Sequence, residues 1–224
     1  MGRRRTPRTY TALEDLGRVR LSRHFFMRDF LWSEIAAMHL RHNLPDDPDL
    51  ALEAGIKLAT ELLDPLVETF GPIAIRSALR SCDLNHFGAT EVKPQKCSQN
   101  PANYAAHIWD RRDAKGRMGA CATVVVPWFA DQYAQGRDWR DLAWWLHDHL
   151  DYHEIMFFPK LAAFNLTWRE EPSRRISGYM PHIRLLKRQH EDPAEPFAMR
   201  EKRYADFPPF RAINYPAIPE AWAA

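Results

Sequence analysis

The segment from Asp47 to Gly71 constrains the fold of this chain more than any other stretch, because its apolar residues recur at the spacing of one helical face. Asp47 can cap the first free backbone amides, and Pro48 follows at the first helical position, where its missing N–H costs nothing. The apolar stripe consists of Ile56, Ala59, Leu62, Leu63, Leu66, Val67 and Phe70. The sequence therefore predicts an amphipathic helix that ends at Gly71, with a kink or a tightened last turn at Pro65.

The other periodic segments predict further helices and five short strands. Helices are expected over Ser33–Leu40, from Asp138 to about Leu150 and over Ile183–Gln189, whereas residues 82–103 have an irregular pattern. Strands are predicted over residues 73–77, 104–109, 120–126, 154–158 and 164–168. The turn Asp113–Gly116 joins the second and third strands as a hairpin, since Gly116 can take a positive φ. This order indicates an α+β fold with a small antiparallel sheet.

Composition limits the class of protein. The chain has 224 residues, of which 46% are hydrophobic, so it can form one domain with a full core. No apolar run approaches the roughly 18 residues of a membrane span, and no secretory signal follows the basic N-terminus. The three cysteines, Cys82, Cys97 and Cys121, form no C-x-x-C pair. We therefore expect a cytoplasmic protein without a membrane partner.

The two ends of the chain differ in composition from its middle. We interpret residues 1–20 as a basic arm and residues 21–168 as the folded domain. Residues 169–224 are interpreted as an extension rich in proline and aromatic residues. Such an extension is expected to pack on the body or on a neighbouring subunit. The arm is either a solubilising tail or a nucleic-acid contact through the phosphate-binding side chains Arg3, Arg4, Arg5 and Arg8.

Four stretches in the correct order resemble the zinc D-Ala-D-Ala carboxypeptidases and phage endolysins of the Hedgehog/DD-peptidase fold. Phe30–Ala36 resembles the Phe-x-x-Ser-Glu opening of that family, and Leu62–Gly71 resembles its Leu-x-Pro-Leu-Arg helix. Ile75–Ser81 with Asn85 is similar to its Ser-Gly-Tyr-Arg-Ser…Asn signature. Ser98–His107 has the spacing of its Ser-x-His-x-x-Gly-x-Ala-x-Asp metal motif. The resemblance implies that residues 21–168 have the Hedgehog/DD-peptidase fold.

The resemblance also implies roles for individual residues. Arg80 matches the arginine that holds a substrate carboxylate or carbonyl, for which a planar five-donor guanidinium is suited. Ser77 and Asn85 match residues that shape the same loop. The positions of the two zinc ligands in the motif are occupied by Asn100 and His107.

The metal-ligand set departs from the family pattern. The third ligand falls in a strand where this chain offers Asn165, and the nearest candidate for the catalytic glutamate is Glu154. A catalytic zinc ion needs about three nitrogen, sulfur or carboxylate ligands and a water. Amide side chains are poor zinc ligands, so His107 is the single metal-ligand candidate. The sequence therefore predicts that the zinc peptidase chemistry is lost or changed.

Two other groups of residues have the right chemistry for a site. His149 and His153 lie four residues apart, as in zinc-binding helices, but the predicted helix ends between them. Histidines near a helix C-terminus also have a purely electrostatic explanation. His153 or Glu154 could still enter the cleft as an acid–base group. Cys121 and His107, if their strands pair, could form a nucleophilic dyad, although buried cysteines usually serve as core residues.

These observations support three hypotheses. The first is a divergent protein that binds a small polar or anionic ligand through Arg80 and His107, with hydrogen bonds from Ser77, Asn85, Asn100 and Asn165. If it is an enzyme, the acid–base candidates are His107, His153 and Glu154, and the bond is amide or peptide-like. The second is a zinc-dependent peptidase or amidase with a rebuilt metal shell. The third is a phage or mobile-element accessory protein whose arm binds nucleic acid.

Overall fold

The computed structural model describes residues 4–180, 183–188 and 195–216, in which helices flank a six-stranded sheet. The strand order is β1-β2-β4-β3-β5-β6. The strands are β1 (Ala74–Ser77), β2 (Gly119–Val125), β3 (Glu154–Phe157), β4 (Phe164–Arg169), β5 (Arg175–Met180) and β6 (Ile183–Lys187). All neighbours are antiparallel except β3 and β5, which run parallel. The predicted α+β class is confirmed, while the sheet is mixed rather than antiparallel.

The described residues form nine α-helices. They are α1 (Tyr10–Arg18), α2 (Glu34–Met38), α3 (Pro48–Leu58), α4 (Asp64–Phe70), α5 (Cys82–Thr90), α6 (Asn100–Asn103), α7 (Pro127–Ala134), α8 (Trp139–His149) and α9 (Phe197–Arg203). The predicted cap at Asp47 is confirmed, and Ser33 and Asp138 cap α2 and α8 in the same way, since each of the three accepts a hydrogen bond from the first turn that follows.

The segment from Asp47 to Gly71 is helical throughout, but Pro65 widens it instead of tightening it. A π-helical turn (Ala59–Leu63) separates α3 from α4, and the amide of Asp64 reaches back five residues to the carbonyl of Ala59. This extra residue in the turn accommodates a proline, which lacks the N–H of a regular helix. Gly71 ends α4 with a φ of +79°.

The two faces of the sheet differ in chemistry because strand residues alternate between faces. One face is apolar and belongs to the main hydrophobic core with side chains of α3, α4 and α8; its residues are Ala120, Ala122, Val124, Ile155, Phe157, Leu166 and Ile176. The opposite face, which we call the polar face, carries Cys121, Thr123, Glu154, Asn165, Thr167 and Ser177. The polar face is therefore the side of the sheet available for chemistry.

Three predictions about individual elements are wrong. Residues 82–103, expected to be irregular, contain α5 and α6. The helix expected over Ile183–Gln189 is strand β6 over residues 183–187, because β5 offers its backbone as a partner; Gln189 lies outside the described residues. The strand expected over Tyr104–Trp109 is a looped segment with one isolated bridge, from Tyr104 to Ile108. In the last case a contact distant in sequence, from Arg169 to the carbonyls of Tyr104 and Ala105, overrides the local pattern.

Both terminal regions contribute to the fold. Half of the predicted N-terminal arm forms α1, in which Leu16 is buried. The boundary expected at residue 168 falls inside β4, and β5 and β6 continue the sheet beyond it. Phe207 of the predicted extension packs on the rings of Phe70 and Trp128, at centroid distances of 5.7 and 5.1 Å. The described part of the extension thus lies on the body of the protein.

Ser81 caps the helix that carries Asn85, and its loss is expected to destabilise the fold. The Ser81 hydroxyl accepts a hydrogen bond of 3.1 Å from the amide of Leu84. Ser81→Ala should lower the free energy of unfolding by about 1 kcal/mol, because the first turn of α5 loses a cap. Thr90→Ala, at the other end of α5, is the control and should change it by less than about 0.5 kcal/mol. Urea unfolding measures both, and equal effects would contradict the capping role.

Candidate ligand site on the polar face of the sheet

The register of the strands aligns polar side chains in two rows across the polar face. Paired residues on neighbouring strands point to the same side and lie about 5 Å apart. One row consists of Cys121, Thr167, Glu154 and Arg175; the other consists of Thr123, Asn165, Met156 and Ser177. Ser77 of β1 is aligned with Thr123 and lies at the edge of the second row. The sheet therefore brings Ser77, Glu154 and Asn165 to one surface.

The loop of residues 104–112 is held over this surface by Arg169. The Arg169 guanidinium donates to the carbonyls of Ala105, at 3.0 Å, and Tyr104, at 3.2 Å. The amide of Ala105 donates to the carbonyl of Arg111 at 2.8 Å, so the loop satisfies part of its backbone internally. This bonding explains why the segment forms no strand. The loop places His107 above the strands.

The predicted turn Asp113–Gly116 forms, but the predicted hairpin is wrong, because residues 104–109 form a loop rather than a strand that could pair with β2. The Asp113 carboxylate accepts from the amides of Lys115 and Arg117, at 2.8 and 3.0 Å. Gly116 has a φ of +78°, a conformation that costs glycine nothing. Asp110, by contrast, is buried, and its carboxylate accepts from the amides of Asp46 and Asp47 ahead of α3. Neither aspartate is available as a metal ligand, since each is used to hold backbone.

His107 is buried and lies at one end of a chain of hydrogen bonds. Its Nδ1 lies 2.8 Å from the carbonyl of Ala78, which can only accept, so Nδ1 carries the proton. Nε2 is then the acceptor; the Sγ of Cys121 lies 3.7 Å from it, and the side chain of Asn165 also interacts with the ring. The Asn165 Oδ1 in turn accepts from the hydroxyl of Thr123 at 2.7 Å. Both ring nitrogens of His107 are therefore engaged.

The electrostatic setting keeps His107 and Cys121 neutral at pH 7. Burial lowers the pKa of His107 to about 3, with a further contribution from the charge of Arg80. Burial raises the pKa of Cys121 to about 12. The Cys121 Sγ lies 3.7 Å from His107 Nε2, so the two residues of the hypothetical dyad do meet. A protonated thiol beside a neutral imidazole is not an activated nucleophile.

Arg80 supplies a positive charge beside this cluster. Its amide donates to the carbonyl of His107 at 2.7 Å, which ties the two segments together. One terminal nitrogen of its guanidinium donates to the Sγ of Cys97 at 2.9 Å. The buried Nε has no hydrogen-bond partner among the described residues. No carboxylate in the described part of the chain pairs with Arg80, so its charge is not neutralised internally.

Asn85 and Asn100 bind each other. Asn85 is fully buried, and its Nδ2 donates to the Oδ1 of Asn100 at 2.8 Å and to the carbonyl of Ser98 at 3.0 Å. The Nδ2 of Asn100 donates to the carbonyl of Cys82 at 3.0 Å. The Oδ1 of Asn85 has no hydrogen-bond partner among the described residues. The pair fastens the start of α6 to α5, next to the segment that ends at Cys97.

The residues at the expected zinc positions do not fit a zinc ion. Within the described residues, no group of three or more His, Cys, Asp or Glu side chains has a metal-holding arrangement. The side-chain amide of Asn100 is hydrogen-bonded through both its oxygen and its nitrogen, and the unprotonated Nε2 of His107 faces the Cys121 Sγ at 3.7 Å. The charge of Arg80 also opposes a cation at this place. A hydrogen-bond chain thus occupies the position of a metal shell.

Glu154 and His153, the other acid–base candidates, lie in different surroundings. Glu154 is half-buried on the polar face, with the hydroxyl of Ser177 at 3.5 Å and Arg175 at 3.6 Å. His153 bonds the carbonyl of Glu171 at 3.1 Å. Burial lowers the pKa of His153 to about 4, assisted by the charge of Arg169. Glu154 therefore shares a face with the His107 cluster, whereas His153 belongs to the end of the sheet near Asp113.

The histidines of α8 stabilise the helix end rather than meeting a ligand. His147 is buried, with Nδ1 at 2.8 Å from the Tyr152 hydroxyl and Nε2 at 3.3 Å from the Lys187 amine. The ring of His149 stacks on Trp145 at 4.6 Å. Since α8 ends at His149, the spacing of His149 and His153 is not that of one helical face. This agrees with the expected helix end.

Sequence reasoning missed Arg169, Thr123 and Thr167 as members of the site. Their signal was the alternation of polar and apolar residues along β2 and β4, which marks one face of a sheet. The alternation shows which residues share a face, but only the register of β2 and β4 shows which of them lie side by side.

The predicted basic arm is only partly described. Arg4 pairs with Asp49 through its amide, at 2.8 Å, and its side chain, at 3.0 Å. Arg5 and Arg8 are exposed, and Arg3 lies outside the described residues. In the described part of the chain, no helix has the length and apolar character needed to cross a membrane.

Comparisons with known proteins give no relative for this chain. No protein-family model, no curated protein and no solved structure matches it. The functional argument therefore depends on the site itself.

Proposed function

We propose that this chain is a divergent protein of the Hedgehog/DD-peptidase fold whose polar face binds a small anionic ligand. The observation that carries the proposal is the Arg80 guanidinium, which lies beside the neutral His107 cluster with its Nε unpaired. A partly buried charge without a counter-ion is unfavourable, and a bound anion would compensate it. The meeting of Arg80, His107 and Asn165, which are far apart in sequence, supports the fold assignment.

The neighbouring side chains favour a ligand that also has a hydrogen-bonding group. The hydroxyl of Thr123 donates to Asn165 and keeps lone pairs that can accept. Ser77 lies opposite Thr123 in the register of β1 and β2. A carboxylate next to an amide, as in an acylated amino acid, would pair its charge with Arg80 and its amide with these hydroxyls. This is the substrate class that we propose.

The side chains of the site favour ligand binding without zinc peptidase chemistry. His107 has no free nitrogen, and its pKa of about 3 makes it a poor base at pH 7. A measurement of the zinc bound to metal-replete protein distinguishes this proposal from the hypothesis of a zinc-dependent amidase. We expect well under one ion per chain, whereas about one ion per chain would favour the amidase.

Removing the guanidinium tests the proposal directly. The probes are inorganic phosphate, sulfate and N-acetylglycine, and calorimetric titration measures their affinity. Arg80→Ala should weaken binding of the preferred probe about tenfold or more, because it removes a charge-assisted contact. Arg80→Lys should give an intermediate loss, since it keeps the charge but not the planar donors. Circular dichroism verifies that each variant is folded.

Arg76 provides the matched control. Arg76 lies in β1, four residues before Arg80, and its side chain is exposed. Arg76→Ala therefore removes the same charge from the same region. The affinity of the Arg76→Ala variant for the preferred probe should stay within about twofold of that of the unaltered protein, as expected for a screened surface charge. Equal losses in the two variants would mean that only the overall charge matters. The proposal would also be wrong if no probe bound the unaltered protein more tightly than about 10 mM.

A further inference from the structure

An apolar groove lies in the N-terminal part of the chain, formed by residues between Tyr10 and Leu44. It runs between α1 and α2, with the 3₁₀ turn Met27–Phe30 and its following residues as the floor. We call it the α1–α2 groove. Its volume is about 630 Å³, and its apolar lining includes Tyr10, Leu13, Gly17, Leu31, Trp32, Ala36 and Leu40.

The groove exposes large apolar side chains. Tyr10 is 80% exposed, Trp32 is 61% exposed and Leu40 is 94% exposed. Together with Leu13 they present several hundred Å² of apolar surface, estimated from about 150–250 Å² for a large aromatic side chain. A contiguous patch of that size is at the upper limit for a monomer, and larger patches mark interaction sites. The groove is therefore a candidate interface.

The backbone conformation at Leu40 is an independent observation in favour of an interface at the groove. Leu40 has a φ of +51°, and the amide of Arg41 bonds the carbonyl of Ala36 at 2.9 Å. Leu40 thus occupies the left-handed position after a helix, where glycine is strongly preferred. A leucine there costs roughly 1 kcal/mol or more. The strained backbone holds an almost fully exposed leucine at the groove, and burying that side chain would offset its cost.

The charges of the groove indicate the kind of partner. Glu14 lies on the α1 wall and Arg28 on the floor turn. Arg28 is exposed and makes no ion pair among the described residues, while Glu14 pairs only with Arg18 of its own helix, at 2.6 Å. A partner of one charge sign would meet a like charge at one wall. A second copy related by a two-fold axis could place the Glu14 of each copy opposite the Arg28 of the other, which satisfies both charges.

We propose that the α1–α2 groove is the interface of a symmetric dimer of this chain. A standard interface buries about 800 Å² on each partner. The exposed apolar side chains of the groove supply most of that area, and the two Glu14–Arg28 pairs fix the register of the copies. Trp32 and Tyr10 are residues of the type that contributes most to binding at the centre of an interface.

Sedimentation velocity of the full chain tests the dimer between about 1 and 100 µM, a range that covers micromolar dissociation constants. The unaltered protein should sediment as a dimer at the upper end. Trp32→Ala and Leu40→Gly should each raise the dissociation constant at least tenfold. Leu40→Gly relieves the strained φ, so its monomer should unfold no more easily than the unaltered chain. Tyr179→Ala is the control, because Tyr179 is an exposed aromatic on β5, outside the groove.

Charge reversal tests the two-fold arrangement itself. Glu14→Lys and Arg28→Glu should each weaken the dimer, and the combined variant should restore it, because the pairs form again with the charges exchanged. A combined variant as weak as the weaker single variant would overturn the arrangement. The proposal fails if the unaltered chain is monomeric at every concentration, including the case in which that monomer binds vesicles of anionic lipid. It also fails if the dimer persists unchanged in both Trp32→Ala and Leu40→Gly.

Discussion

Gly119→Ala is expected to lower the free energy of unfolding by about 3 kcal/mol, at the upper end of overpacking effects. A β-carbon at Gly119 would fall well inside contact distance of the Ala105 carbonyl oxygen, 2.7 Å from Cγ of Arg169 and 2.8 Å from the Trp168 carbonyl oxygen. Two of these atoms belong to the backbone and cannot turn away. The loop of residues 104–112 or strand β4 must therefore move.

The same substitution is expected to weaken ligand binding at the polar face. The loop that rests on Gly119 carries His107 and is held by the hydrogen bonds from Arg169 to Ala105 and Tyr104. Lifting the loop would break the contact of His107 with Asn165 and shift the segment that carries Arg80. We expect a loss of affinity for the preferred probe of about tenfold in protein that is still folded.

Two other glycines provide the controls for Gly119. Gly116 and Gly136 have positive φ values, and a β-carbon at either position would have no neighbour within 4 Å. Alanine there should cost only about 1 kcal/mol, from backbone strain alone. Urea unfolding at pH 7 measures all three variants. If Gly119→Ala unfolded no more easily than Gly116→Ala, the close approach of the loop to the sheet would be wrong.

The elements with local signals were predictable from the sequence. The caps at Ser33, Asp47 and Asp138 and the helix end at Gly71 are local, because each depends on hydrogen bonds within a few residues. The four strands at residues 74–77, 119–125, 154–157 and 164–169 were also predicted to within a few residues, since alternation or a short apolar run is a local pattern.

The elements that depend on distant contacts were not predictable. The loop of residues 104–112 has the composition of a strand, but its carbonyls bond Arg169, which lies more than 60 residues away. Segment 183–187 depends on a nearer partner, strand β5, which the sequence did not predict as a strand. The same limit applies to the site. Resemblance named His107 and Asn165, whereas the register that brings Thr123 and Thr167 beside them is a property of the folded sheet.

Lowering the pH from 7 to 5 is expected to reduce the free energy of unfolding by about 5 kcal/mol. Burial, assisted by neighbouring positive charges, lowers the pKa of His107 to about 3, that of His147 to about 3 and that of His153 to about 4. In the unfolded chain all three rings regain a pKa near 6.5. The unfolded state therefore binds up to three more protons below that value, so stability falls as the pH falls.

Histidine substitutions separate the three contributions. Each ring should account for about 1–2 kcal/mol of the decrease, from a depressed pKa followed over about 1.5 pH units. His107→Gln, His147→Gln and His153→Gln should each remove about a third of the pH dependence, whatever their effect on stability at pH 7. His86→Gln, at an exposed position on α5, should leave the decrease unchanged.

The sign of the effect is specific to buried histidines. Burial raises the pKa of Asp64 and of Asp110, so these carboxyls bind protons more readily in the folded state and oppose the histidine effect as the pH falls. A stability that stayed level or rose between pH 7 and 5 would mean that these carboxyls dominate. A decrease that persisted in full after all three histidines were replaced would show that His107, His147 and His153 are not neutral in the folded protein. Urea unfolding at pH 7, 6 and 5 gives the free energies that decide between these outcomes.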